Sequence, residues 1–200
     1  VGQAHVRIVV VGDALVAGVG DPKGLGWVGR VSGRTPREEG GMTMFPLGVP
    51  GETTAELLGR WREEADRRFG DRSDPCRLVI GLGHADARRG TTLARSRLHL
   101  ADILDESSSL GLPVFVVGPP PTGDETLNTA LAQLSDAFHD VCTRRRVPYV
   151  DTFIPLLRHE DWLTDLAAGD GVHPGQAGYG LIAWLVLHGG WHDWMGIPQR

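Results

Sequence analysis

The sequence is poor in cysteine, has no long apolar run and carries no excess of basic charge. Its two cysteines, Cys76 and Cys142, are too few for a disulfide framework. One precedes a strand-like run and the other lies on a helix-like one, which predicts two buried thiols and permits a reducing compartment. No apolar stretch approaches the roughly 18 residues of a membrane-crossing helix, and residues 6–11 are too short for a signal-peptide core. A soluble, cytoplasmic protein is therefore expected. The net charge of −5, with Lys and Arg scattered along the chain, lacks the basic footprint of a nucleic-acid binder. No internal repeat or low-complexity linker divides the sequence. With 41% hydrophobic residues in 200, one α/β domain over residues 1–200 around one sizeable core is predicted.

What is present alternates between two patterns. Short apolar, β-branched runs at 7–11, 42–47, 77–82, 113–117 and 147–151 read as strands, and helix-period stretches separate them. The runs 9–11, 79–82 and 114–117 show no polar alternation, so they are predicted to be adjacent parallel strands in the middle of one sheet, buried on both faces. After a Thr53 cap, Leu57, Leu58, Trp61, Ala65 and Phe69 make an inward helical stripe. In the helix over 91–110 the corresponding stripe is Ala94, Leu98, Ala101 and Leu104, with Gly111 at its end. The helix over 125–146 ends in Arg144-Arg145-Arg146, where positive charge complements the dipole; a helix C-terminus repels anions, so no phosphate site is assigned. The closing helix over 176–188 carries Tyr179, Leu181, Ile182, Trp184, Leu185 and Leu187. So apolar a helix either packs deeply or pairs with a second copy in a homodimer.

Two cofactor signals fail on spacing. Gly24, Gly26 and Gly29 form a GxGxxG, but about a dozen residues separate it from the end of the first strand, whereas a dinucleotide fingerprint begins directly after one. His188, His192 and Asp193 are near one another in sequence, yet no cysteine is close and Trp191 and Trp194 call for burial, so no metal site is assigned. The expectation is no cofactor and no metal.

Chemistry-bearing residues fall where strands end. The first strand runs into Gly12-Asp13-Ala14-Leu15, the second into a loop with Gly51-Glu52-Thr53, and the third into Gly83-His84-Ala85-Asp86. Asp170-Gly171-Val172-His173-Pro174 precedes the last helix. In open α/β sheets, ligands bind outside the carboxyl ends of strands. The three-residue offset from Asp170 to His173 lets the carboxylate bond the imidazole within one turn, fixing its tautomer. In order and position these four segments resemble the blocks of the SGNH, or GDSL, hydrolase family of GDSL-like lipases and acylhydrolases. The resemblance runs from Gly12 to Pro174. It implies a three-layer α/β/α sandwich with a central five-stranded parallel sheet, flavodoxin-like in arrangement, and hydrolysis of carboxylic esters. It also implies that His173 is the general base, that Asp170 orients it, and that the Gly51 N–H belongs to an oxyanion hole with residues 14 and 85.

The sequence departs from the family pattern at two positions. Ala14 stands where the family has its nucleophilic Ser, and Ala85 where it has an Asn that donates to the oxyanion. A methyl group cannot be acylated. His84 occupies a variable position and reads as a polar loop residue or a pocket wall. Three functions remain open: an acyl hydrolase whose nucleophile has been replaced, a catalytically dead small-molecule binding or regulatory protein, and a hydrolase in which His173 activates water directly. In each the partner is a small-molecule ester or acyl ligand, and the pocket is expected to be walled by the loops 19–25, 119–122 and 158–165.

Overall fold

A computed structural model describes residues 5–36 and 41–197. The first strand, β1 (Val6–Gly12), turns into the short α1 (Ala14–Ala17), followed by α2 (Gly26–Arg34). Next come β2 (Met42–Gly48) and α3 (Thr54–Phe69), then β3 (Cys76–Gly81) with the short α4 (His84–Arg88) and the long α5 (Leu93–Ser109). β4 (Val114–Val117) leads to α6 (Glu125–Arg145), and β5 (Tyr149–Val150) to α7 (Phe153–Leu156) and α8 (Glu160–Ala167). The chain finishes with α9 (Gln176–Val186), a π-helical turn at Leu187–Trp191, and α10 (His192–Met195).

All strands are parallel, in the order β2-β1-β3-β4-β5, so β1, β3 and β4 are neighbours at the centre, as their unbroken apolar runs require. Strand alternation sorts their side chains into two cores. Ile8, Val10, Val79, Phe115 and Val117 face α2, α8 and α9 on one side. Val9, Val11, Leu78, Ile80, Val114 and Val116 face α3, α5 and α6 on the other. The result is a three-layer α/β/α sandwich. The chain leaves β1 in opposite directions towards β2 and β3, and that reversal opens a crevice at the strand ends. Register sets Gly12 opposite Gly48 and Gly81 there. Gly12 has φ +151°, and a Cβ on it would lie 1.9 Å from the Gly81 carbonyl oxygen; only glycine lets the turn into α1 pass so close.

Several expectations need correcting. The fifth strand is two residues long, because the Asp151 carboxylate accepts the Phe153 N–H at 2.8 Å and turns the chain into α7. The inward stripe of α5 is Ser96, Leu100, Ile103, Leu104 and Ser107, whereas Leu98 is 57% exposed and Ala94 faces solvent. Two buried serines disguise that face as polar. Leu58 is half-buried, unlike the rest of the α3 stripe, and of the two thiols Cys142 is buried but Cys76 only partly so. The closing helix ends at Val186, where Gly189 and Gly190 break its geometry. Tyr179, Ile182 and Leu187 point into the core, while Trp184 stays 53% exposed and stacks on His188 at 4.2 Å. Beyond the break, Trp191 is fully buried edge-on to Phe115, its Nε1–H bonded to Thr35 Oγ1 at 2.9 Å. Arg77, on β3, donates to the carbonyls of Trp194 at 2.7 Å and Met195 at 3.5 Å. Among the described residues no helix is long and apolar enough to cross a membrane.

Candidate active site

At the end of β1, Asp13 caps α1 by accepting the Leu15 N–H on Oδ1 at 3.0 Å. Its other oxygen, Oδ2, is buried without a hydrogen-bond partner, and the residue is 3% exposed. Burial pushes this carboxyl above the usual range, against the pull of nearby His84 and the Leu15 N–H. Ala14 follows, almost fully buried. The loop after β2 is drawn to the same place by the Val49 N–H, which donates to the Gly12 carbonyl at 2.8 Å. Gly51 takes φ +78° in that loop. Glu52 is clasped by Arg60, which also donates to the Leu47 carbonyl at 2.8 Å and so fixes the loop to its own strand. The N–H groups of Ala14 and Gly51 have no acceptor among the described residues.

The loop reading of residues 83–86 is replaced by a helix, α4. His84 is buried, and its Nε2 sits 2.7 Å from the Pro120 carbonyl. A carbonyl only accepts, so Nε2 carries the proton and Nδ1 the lone pair. Burial lowers the pKa of this imidazole, with Asp13 opposing the shift. Ala85 turns its methyl to the cleft. Asp86 points the other way, fully buried, and its Oδ2 accepts the Thr54 N–H at 2.9 Å. Its Oδ1 accepts from Thr54 Oγ1 at 2.6 Å and Ser96 Oγ at 2.7 Å. One carboxylate thus ties the starts of α3 and α5 to α4 and holds this wall in shape.

The turn before α9 is built around Asp170. Oδ1 accepts the N–H groups of Val172 at 2.9 Å and His173 at 2.8 Å, and Oδ2 lies 2.6 Å from His173 Nδ1. The His173 N–H, with help from its ring, holds the Asp170 carboxyl far below the usual carboxylate range. An ionised Asp170 only accepts, so Nδ1–H is the donor and the lone pair of His173 rests on Nε2. A second element backs this turn. A Cβ at Gly20 would come within 2.8 Å of the Pro174 carbonyl oxygen and 3.1 Å of His173 Cβ, and the Tyr179 hydroxyl donates to the Val19 carbonyl at 2.6 Å. Asp21 fixes the loop by accepting the N–H groups of Lys23, Leu25 and Gly26 and pairing with Arg30. Arg30 lowers the Asp21 carboxyl to about 2.

One cavity of about 210 Å³ collects these pieces, lined by Asp13, Ala14, Gly51, His84, Ala85, Arg88, Arg89, Val172 and His173. Every residue assigned from the sequence lines it except Asp170, which sits behind His173. The loops 19–25, 119–122 and 158–165 do not wall it. The first buttresses His173, Pro119 and Pro120 line a smaller recess with Asp13, and in the third Trp162 is buried with its Nε1–H on the Pro121 carbonyl at 3.2 Å. Arg88 and Arg89 went unassigned; the signal was their place one turn beyond Ala85, visible only once α4 is known to be helical. Among the described residues no cluster of three or more His, Cys, Asp or Glu could hold a metal ion. The cavity therefore offers backbone donors, an oriented imidazole base and two guanidinium groups.

Comparison with known proteins places the chain in a family and matches its fold. The GDSL-like Lipase/Acylhydrolase family matches residues 10–181. Esterase TesA of Pseudomonas aeruginosa is 25% identical over 177 residues, covering 87% of this chain and 82% of TesA. Among solved structures, a crystal structure of TesA superposes with a TM-score of 0.76 at 22% identity, covering 92% of this chain and 97% of that one. Axe2, an acetylxylan esterase from Geobacillus stearothermophilus, gives 0.78 at 20% identity, covering 97% of both chains. A lipase/acylhydrolase from Enterococcus faecalis gives 0.74 at 24% identity, covering 94% and 96%. At these identities the structural likenesses establish the fold.

Proposed function

The chain belongs to the GDSL-like lipase/acylhydrolase family, and from that premise we propose that its cleft binds carboxylic esters or acyl compounds but cannot form an acyl-enzyme. Asp170 and His173 form the base pair, and the N–H groups of Ala14 and Gly51 are the oxyanion donors. The observation that carries this reading is the Asp170-oriented His173 ring lining the same cavity as the Ala14 methyl. With serine at residue 14, His173 Nε2 would take the hydroxyl proton as oxygen attacked the acyl carbon. Ala14 offers no oxygen.

The chemistry left to the chain is attack by water. As water's oxygen bonds to the acyl carbon, His173 Nε2 accepts its proton, and the carbonyl electrons move to an oxygen held by the Ala14 and Gly51 N–H groups. Collapse breaks the ester C–O bond, and His173 returns the proton to the leaving alkoxide. Ala85 leaves that oxyanion short of a donor worth about 3 kcal/mol, so turnover is expected near the limit of detection. A second reading, a binding or regulatory protein, uses the same cleft without turnover; the paired methyls at 14 and 85 favour it, because they spare ligand contact while removing chemistry.

The test is a short-chain ester panel beginning with acetyl esters, the group named for the acetylxylan esterase Axe2. Ala14→Ser should raise hydrolysis by several orders of magnitude, since losing the nucleophile of a triad costs about a millionfold. If Ala14→Ser hydrolyses nothing while His173→Ala alters ligand binding, the binding reading stands instead.

A further inference from the structure

The cationic groups of the cavity do not have equal calls on them. Arg89 donates through Nη1 to Glu56 at 3.0 Å, with Nη2 turned towards Gly51, and Glu56 itself accepts the Thr53 N–H in the capping box of α3. Arg88 is exposed and has neither a hydrogen bond nor an ion pair among the described residues. Its charge is close enough to His84 to oppose protonation of that ring. Neither Asp13, which lines the cleft, nor Asp170 behind His173 pairs with it. Asp170 spends both oxygens on two backbone N–H groups and the His173 ring, and burial disfavours the charged form of Asp13.

The cavity thus presents as donors the N–H groups of Ala14 and Gly51, the Arg88 guanidinium and Arg89 Nη2, which lies 3.5 Å from where a Cβ on Gly51 would be, beside the unpaired Asp13 Oδ2 and the His84 and His173 rings. Resting on the acyl reading above, we propose that Arg88 makes the cleft selective for anionic acyl compounds, holding a carboxylate at the far end of the ligand while its ester carbonyl lies against the Ala14 and Gly51 N–H groups. Ala85 and Arg88 are three residues apart on α4 and so lie on one side of the helix, with Cβ atoms about 5–6 Å apart. A short dicarboxylic half-ester carries both the ester and the carboxylate and serves as the probe. A carboxylate gains a charge-assisted hydrogen bond from the guanidinium that a neutral acyl chain of equal length does not. Because Arg88 keeps one side in water, the preference should be modest, about fivefold, and should shrink as salt is added.

Titration of the unmodified chain with monomethyl succinate and with methyl butyrate, following the His173 ring resonances by NMR, tests this. Monomethyl succinate should bind about fivefold more tightly, Arg88→Gln should abolish the difference, and Arg88→Lys should keep part of it. Arg144→Gln, which removes the same charge from the far end of α6, should keep all of it. Equal affinity for the two probes, or a preference that survives Arg88→Gln, overturns the proposal. Binding of methyl butyrate with no preference for the acid leaves the acyl reading standing and refutes only the role of Arg88. If neither probe moves the His173 resonances, the acyl reading falls and this inference with it.

Discussion

On one wall of the cleft, where β1 and β3 end, the chain presents methyl groups at residues 14 and 85; on the other, the turn before α9 presents an imidazole held in one tautomer. The first wall is shaped from a distance, by Asp86 joining α3, α4 and α5 and by the Arg60 clasp on the loop of Gly51. In the second the Asp170 carboxylate bonds only to residues two and three places on, with the 19–21 loop packed behind the turn. The difference teaches that the shape of a site can be held by residues other than those at its chemically decisive positions. Neither Ala14 nor Ala85 contributes a side chain to the bonds that hold the first wall in place.

Variants that restore or break one wall at a time sharpen this contrast. The largest effect is the gain from Ala14→Ser already described. In that background Asp170→Asn should cost about 10⁴ in kcat, because an amide stabilises the wrong tautomer of His173 and cannot support the imidazolium; a loss below tenfold would mean that His173 is oriented by something else. Adding Ala85→Asn should return a factor of about 10²–10³ through the oxyanion, read as kcat with KM little changed. Asp86→Ala should destabilise the fold by about 3 kcal/mol in urea unfolding, since it strands the buried Thr54 and Ser96 donors, whereas the exposed Asp170→Ala should cost under about 1 kcal/mol. Equal costs would erase the distinction between the walls.

A further effect is acid sensitivity of the loop behind His173. Arg30 lowers the Asp21 carboxyl from 3.8 to about 2, a depressed value, so its contribution is complete above the unfolded value and is lost as pH falls from about 4 towards 2. It is worth on the order of 2 kcal/mol. Asp21→Asn should flatten the dependence of stability on pH across that window.

Much of this was legible in the sequence because it is local or periodic. The strands β1, β3 and β4 show themselves as unbroken apolar runs, Thr53 as a helix cap, and Asp170 and His173 by their offset. Asp86 was not legible as a tie between helices, because its partners Thr54 and Ser96 lie 32 and 10 residues away. The buried face of α5 was misread for the same reason: Ser96 is polar yet turned inward to meet that carboxylate. Arg88 escaped because α4 has only five residues, too few for periodicity to register. The pocket walls were expected in the loops 19–25, 119–122 and 158–165, whereas the cavity is walled largely by residues beside the motifs themselves.

The joining of Arg77 to residues 194 and 195, and of Trp191 to Phe115 and Thr35, bears on how the chain is made. Synthesis runs from the amino end, and domains fold as units once enough chain is available. Until α9 and Trp191 have emerged, Ile8, Val10, Val79 and Phe115 have only part of the cover that the finished core gives them. The sheet can assemble with α3, α5 and α6 on one face while the other waits, so the interval before the last twenty or so described residues appear is when a nascent chain is most open to aggregation or to capture by a chaperone.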